Sequence, residues 1–282
     1  MDNKRLYQIV VILAVSLLTL SLYLAGKNSS TGILQLSEGT MPNQESDWDF
    51  NMRSAIAMEL EKDSVKSVVG ALYPQDAERA DPMTWMPQVA QAWDSLGHSL
   101  FAGYYFEQLA KHTGSVDYWY KAGFRFFNLV NLTSDTLARR ELGAHALEAL
   151  KATLVLDASN LKAKAELGVL YMELLPDGVT PMTGVGLLME VLQEDSNHLE
   201  ALYYMSYLSM KSGQYDKAVK RLKKLVSLVP LEAKYHEYLA NAYLQAGKPD
   251  KALGSIRRYA ELDGRPNAQK RADFFIKQLN NN

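Results

Sequence analysis

Cysteine is absent from this chain of 282 residues. No disulfide, thiolate metal site or cysteine nucleophile can therefore form, and no lipid can be carried on an N-terminal cysteine. Excess charge is equally scarce. Thirty Lys and Arg against 32 Asp and Glu leave a net charge of -2, which gives no reason to expect nucleic acid as a partner. Catalytic signatures are missing too: there is no His-Glu-x-x-His run, no Gly-x-Ser-x-Gly elbow and no phosphate-binding glycine loop. The chemistries those motifs serve have no residues to act through. Of the five histidines, His98, His112, His145, His198 and His236, no two stand at helical ligand spacing. His145 has Glu141 and Glu148 one turn away on either side, the nearest approach to a metal site, but an ion-paired helix face accounts for that spacing. No enzymatic activity, cofactor or metal is expected.

What the chain does have is 48% hydrophobic residues, enough for a sizeable core, and an uncharged N-terminal stretch. Residues 6–26 carry no charge, and as a helix they would extend roughly 30 Å, the thickness of a hydrocarbon core. Lys4 and Arg5 precede the stretch, while Glu38, Glu45, Asp47 and Asp49 come after it. The positive-inside rule then places residues 1–5 in the cytoplasm and everything after the span outside it. A cleaved signal peptide is the competing reading. The stretch is long for one, and Tyr23 would occupy the -3 position if cleavage came after Ala25. The expectation is a single uncleaved anchor in an inner (cytoplasmic) membrane, with the remainder periplasmic.

Residues 27–49 are polar and read as a flexible tether. Over 50–82 a helix and a charged loop are expected. Ile56, Leu60, Val65, Val68, Val69 and Leu72 fall at helical spacing from Phe50 to Tyr73, and Pro74 ends the run. This helix is expected to cap the helices C-terminal to it rather than stand apart as a contact helix near the membrane.

The most regular stretch is 199–266, where two 34-residue units lie end to end. Gly213 aligns with Gly247, Ala218 with Ala252, Leu222 with Ile256, Ser206 with Ala240, and Pro230 with Gly264. A small residue on each helix lets two helices cross closely, and the glycine turns one into the next. Earlier units keep the pattern with less fidelity. Residues 161–198 carry Leu167-Gly168 and Gly184, with a long internal loop from Leu174 to Pro181. Residues 116–160 carry Ala122-Gly123 and Ala146, with an insertion around Asn131 to Glu141. Residues 83–115 carry Val89-Ala90, Gly97 and Ala102. Residues 267–282 form a capping helix and tail, with Ala268, Ala272, Phe275, Ile276 and Leu279 inward.

The period and these residues resemble the tetratricopeptide repeat. The resemblance covers about 83–279 and implies an all-α fold. That fold is a right-handed α-solenoid of about five helix-turn-helix repeats with a C-terminal capping helix, here preceded by one transmembrane helix. The plan is similar to that of membrane-anchored periplasmic repeat proteins, among them solenoid factors of cytochrome c biogenesis and single-span ancillary subunits beside the bacterial secretion translocon. Such proteins bind other proteins.

In this family the first helices line a concave groove, through repeat positions 2, 5, 9 and 12. Here these are Asp117, Tyr120, Phe124 and Phe127; Lys162, Ala165, Val169 and Met172; Glu200, Tyr203, Tyr207 and Met210; and Lys234, Glu237, Asn241 and Leu244. Of these, Tyr120, Phe124, Phe127, Met172, Tyr203, Tyr207, Met210 and Asn241 are the expected partner-binding set, because Tyr and Met suit varied contacts. The alternative is that the rings only fill gaps between units. Tyr238 comes four residues after Lys234 and no unit carries the paired Lys and Asn of the family's carboxylate clamps, so a C-terminal carboxylate is not the expected ligand. The expected function is a scaffold that holds a segment of another exported or membrane protein, in a chaperone-like role or in complex assembly. The alternative is a permanent structural subunit of a membrane complex.

Overall fold

The computed structural model describes residues 47–280 apart from residue 78. The expected cytoplasmic N-terminus (1–5), anchor (6–26) and nearly all of the tether (27–49) lie outside the described residues. Among the described residues no helix is long and apolar enough to cross a membrane. Within them the chain is all-α, with thirteen helices and no strand, and it divides into two compact units at Ala163/Lys164.

The first unit contains α1 (Asp47–Leu60), α2 (Asp63–Lys66), a 3-10 turn (Gly70–Leu72), α3 (Pro82–Ser95), α4 (Ser99–Thr113), α5 (Val116–Leu132) and α6 (Thr136–Leu156). Helices α3/α4 and α5/α6 form hairpins. Asp81 caps α3 by accepting from Met83 N at 3.0 Å, and Asp135 caps α6 through Ala138 N at 2.9 Å, each satisfying an amide with no partner inside its helix. Gly97 takes φ +81° between α3 and α4, a conformation a side chain resists. The core is aromatic, with Trp93 and Phe126 fully buried, each contributing about 1.5–3 kcal/mol by leaving water. Arg125 ties α5 to α3 by a fork onto Asp94, at 2.6 and 3.2 Å.

The segment from Phe50 to Tyr73 is not one helix. Lys62 is extended, at φ -77° and ψ 124°, so α1 stops at Leu60 and the chain restarts as α2 and the 3-10 turn. Helix α1 also takes in residues ahead of Phe50, because Trp48 is part of its buried face with Met52 and Ile56. The Trp48 ring stacks on His145 at 4.1 Å and meets Phe126 edge-on at 6.0 Å. That contact makes α1 a lid on its own unit.

Helix α7 (Leu161–Leu174) straddles the division. Helices α8 (Pro181–Glu194), α9 (Leu199–Lys211), α10 (Tyr215–Leu228), α11 (Ala233–Gln245), α12 (Pro249–Asp263) and α13 (Pro266–Asn280) complete the second unit. Gly213 and Gly247 turn α9 into α10 and α11 into α12, at φ +72° and +68°. Ser206, Ala218, Ala240 and Ala252 are all buried where helices cross. The α7/α8 approach is closer still: a Cβ on Gly184 would stand 2.2 Å from the carbonyl oxygen of Gly168. Ala268, Ala272 and Phe275 of α13 join the core of α10–α12, so the last apolar face is covered.

Candidate functional site: a tyrosine face in the second unit

Helix α9 has a buried stripe, Ala201, Leu202, Met205, Ser206 and Ser209, that fixes the direction of the rest. Tyr203 lies beside that stripe, partly buried against the core. Its ring meets Tyr204 at 5.2 Å, Tyr238 at 5.5 Å and Tyr235 at 6.2 Å. The Tyr203 hydroxyl donates to that of Tyr238 at 3.5 Å. Tyr207, one turn on, is 47% exposed, with Lys211 Nζ over its ring at 5.3 Å. Helices α9 and α11 thus present one sheet of phenols whose floor, Tyr235, is buried.

Several carboxylates act on these rings, and two lysines lie over them, Lys211 on Tyr207 and Lys234 on Tyr235. Burial pushes the hydroxyls of Tyr203 and Tyr204 well above the usual phenol range. The carboxylates of Glu173, Glu200 and Glu166 push Tyr204 further, and those of Glu232 and Glu200 do the same to Tyr235. Glu200 is itself half-buried in the first turn of α9. A helix N-terminus favours a negative charge there, yet burial pushes its carboxyl up to about 7.

The other expected binding residues meet several fates. Phe124 is 37% exposed and Tyr120 half-buried, their rings 6.2 Å apart on α5. Phe127, also of α5, is only 3% exposed. It is core and not a contact surface, as are Phe126, Leu129 and Val130 around it. Ala165 and Val169 are likewise fully buried. Met172 is partly buried, with its Cγ 2.7 Å from where a Gly184 Cβ would stand, so it leans over the α7/α8 crossing. Met210 is partly buried on the core of the second unit. Asn241 is exposed, and its Nδ2 donates to the Glu237 carbonyl at 3.0 Å. Glu237 is held by Arg271 of α13. Arg221 of α10 donates to Ser209 Oγ at 2.7 Å, and burial lowers its pKa.

The histidines are structural in their surroundings. His236 Nε2 lies 2.9 Å from the Pro230 carbonyl oxygen, and His198 Nδ1 accepts from Ala201 N at 3.3 Å. His145 is drawn to Glu107, a residue the local sequence does not suggest, with Nδ1 2.8 Å from Oε1. Glu107, His145 and Glu148 have ligand atoms within 4.8 Å of one another. Lys111 Nζ, however, already stands 3.2 Å from the same Glu107 oxygen, so the buried carboxylate has its countercharge.

Comparison with known proteins bears on the fold. Residues 170–272 match the family described as bacterial transcriptional activator domain, BTAD, which spans less than half the chain. No curated protein matches. Among solved structures, MamA 41-end from Desulfovibrio magneticus RS-1 is 18% identical, with a TM-score of 0.51 over 65% of this chain and 96% of that one. A MamA RS-1 double mutant gives the same values. A further MamA crystal structure is 19% identical, with a TM-score of 0.48 over 62% of this chain and 95% of that one. The chain therefore has a helical-repeat fold like that of the MamA structures.

Proposed function

We propose that this chain is a non-enzymatic, tetratricopeptide-type interaction scaffold that holds a segment of another protein against the tyrosine face. The observation that carries this reading is the contrast within that face. Tyr235 is buried, as a ring sealing a core should be, while Tyr207 is 47% exposed next to partly buried Tyr203. Tyrosines bury large area at low conformational cost, which suits contact with an extended chain. We place the scaffold on a membrane through residues 6–26, with the N-terminus cytoplasmic and the repeats in the periplasm. Support for this is the uncharged stretch after Lys4 and Arg5. The partner is then an exported or membrane protein, and the fuller fold is a right-handed solenoid of five repeats and a cap.

Purification from native membranes in mild detergent tests the reading. A scaffold is recovered alone and binds peptides at micromolar strength, and Tyr207→Ser weakens that binding without unfolding the chain. Recovery in fixed stoichiometry with one partner, with no peptide binding, points instead to a permanent structural subunit. An alkaline phosphatase fused after Asn282 should be active; inactivity there, with a cytoplasmic reporter active at the same position, would reverse the topology.

A further inference from the structure

A carboxylate sits where a binding segment would lie, and among the described residues nothing neutralises it. Burial is the one influence acting on the Glu200 carboxyl. Two lysines lie on this face, and each is paired with another group, not with Glu200. Lys234 Nζ lies 5.1 Å over the Tyr235 ring and 4.0 Å from Glu232, and Lys211 lies over Tyr207. The charged and titratable groups acting on this spot come from three helices: Glu166 and Glu173 of α7, Tyr203 and Tyr204 of α9, and Tyr235 and Tyr238 of α11 with Glu232 just before it. All are acids. Around them the aromatic rings stand 5.2 to 6.2 Å apart, and the faces of such rings carry negative potential. A half-buried carboxylate without a countercharge beside clustered phenol rings is the chemistry that takes an ammonium or guanidinium group.

We propose that Glu200, with Tyr203, Tyr204 and Tyr238, receives one side-chain cation, an arginine or lysine, from the protein segment held on this face. The inference rests on the reading of the tyrosine face as a binding surface and adds the identity of what it selects. Charge complementarity argues for it, since a cation restores the stabilisation that Glu200 loses on leaving water. It also implies a pH dependence. The Glu200 carboxyl is raised to about 7, so the receptor is charged above that value and neutral below it. Entry of a cation pulls the carboxyl back down, and binding near neutrality releases a proton.

The test is calorimetric titration of the full chain with a panel of nonapeptides made in pairs, each arginine peptide matched by its citrulline counterpart, which keeps the shape and loses the charge. At about pH 8 the best arginine peptides should bind at least ~10-fold tighter than their partners. Glu200→Gln should erase that advantage while leaving citrulline affinities unchanged, and about pH 5.5 should erase it in the unaltered chain. Equal binding within every pair, or an advantage that survives Glu200→Gln, overturns the cation receptor and leaves segment binding standing. If no peptide binds, both readings fail. Tetramethylammonium binding tighter than any arginine peptide would assign the spot to a small cation and overturn its assignment to a protein partner.

Discussion

Two neighbouring hairpins close by different means. In α9/α10 the crossing is made by Ser206 and Ala218, both buried, so a methyl-sized side chain fits between the helices. In α7/α8 Gly168 and Gly184 meet backbone to backbone, and a Cβ on Gly184 would stand 2.2 Å from a carbonyl oxygen. The repeat period marks both places as small, but it does not say how small. The loops differ in step: residues 212–214 join α9 to α10, while residues 175–180 join α7 to α8 and include Leu175 at φ +46° and Gly178 at φ +75°. The longer loop frees α8 to slide against α7 until the two backbones touch.

That contrast can be broken by substitution. Gly184→Ala should be the most damaging, costing about 3 kcal/mol despite the ~1 kcal/mol that alanine gains over glycine in a helix. The obstacle is backbone, which cannot rotate away. Urea unfolding measures it, and a cost under about 1 kcal/mol would mean the α7/α8 spacing is elastic. Ala218→Leu overpacks the looser crossing and should cost about 1–3 kcal/mol. If it costs more than Gly184→Ala, the ranking of the two hairpins is wrong.

Smaller effects sharpen the picture on the surface of the second unit. Glu200 has a raised carboxyl in the folded chain, about 7, so its stabilising contribution is complete below the ordinary carboxylate range and is lost as pH rises through 7. Glu200→Gln should therefore stabilise the chain by about 1–2 kcal/mol at about pH 8, the gain vanishing near pH 4. A gain independent of pH would point to packing, not charge. Tyr207→Ser should change stability by no more than about 0.5 kcal/mol. Tyr203→Ser should cost more, because that ring touches Tyr204, Tyr235 and Tyr238. Replacing both tyrosines at once is thus a poor test of binding, whereas Tyr207 alone separates binding from folding.

The hairpins were legible because their signals are local. The glycine turns at Gly213 and Gly247, and the buried Ala218 and Ala252, recur at a 34-residue spacing that a single chain displays. The groove was legible only in part. Position counting marked Phe127, Ala165 and Val169 as groove-facing, but all three are buried, because counting along one unit does not register what packs onto it from elsewhere in the chain. The same counting gave Glu200 as one groove position among sixteen and said nothing of its burial, which a count along one chain does not reveal. A signal for the site did exist. Tyr203 and Tyr238 lie 35 residues apart, one off the repeat period, so their rings meet across adjacent units instead of repeating one surface. Nothing local could pair Trp48 with His145, because a tryptophan in an apparently polar tether carries no sign of its destination.

That pairing has a mechanical consequence. Trp48 is on the buried face of α1, and its ring is seated on His145, so a pull that lifts this part of α1 acts on His145 through the ring. Met52 and Ile56 share that face one and two turns on, so they hold α1 down where Trp48 lets go. The His145–Glu107 contact stands directly beneath the first turn to yield. The first unit thus meets a pull with its most aromatic contact, and partial detachment would bring water to a carboxylate that is otherwise fully buried.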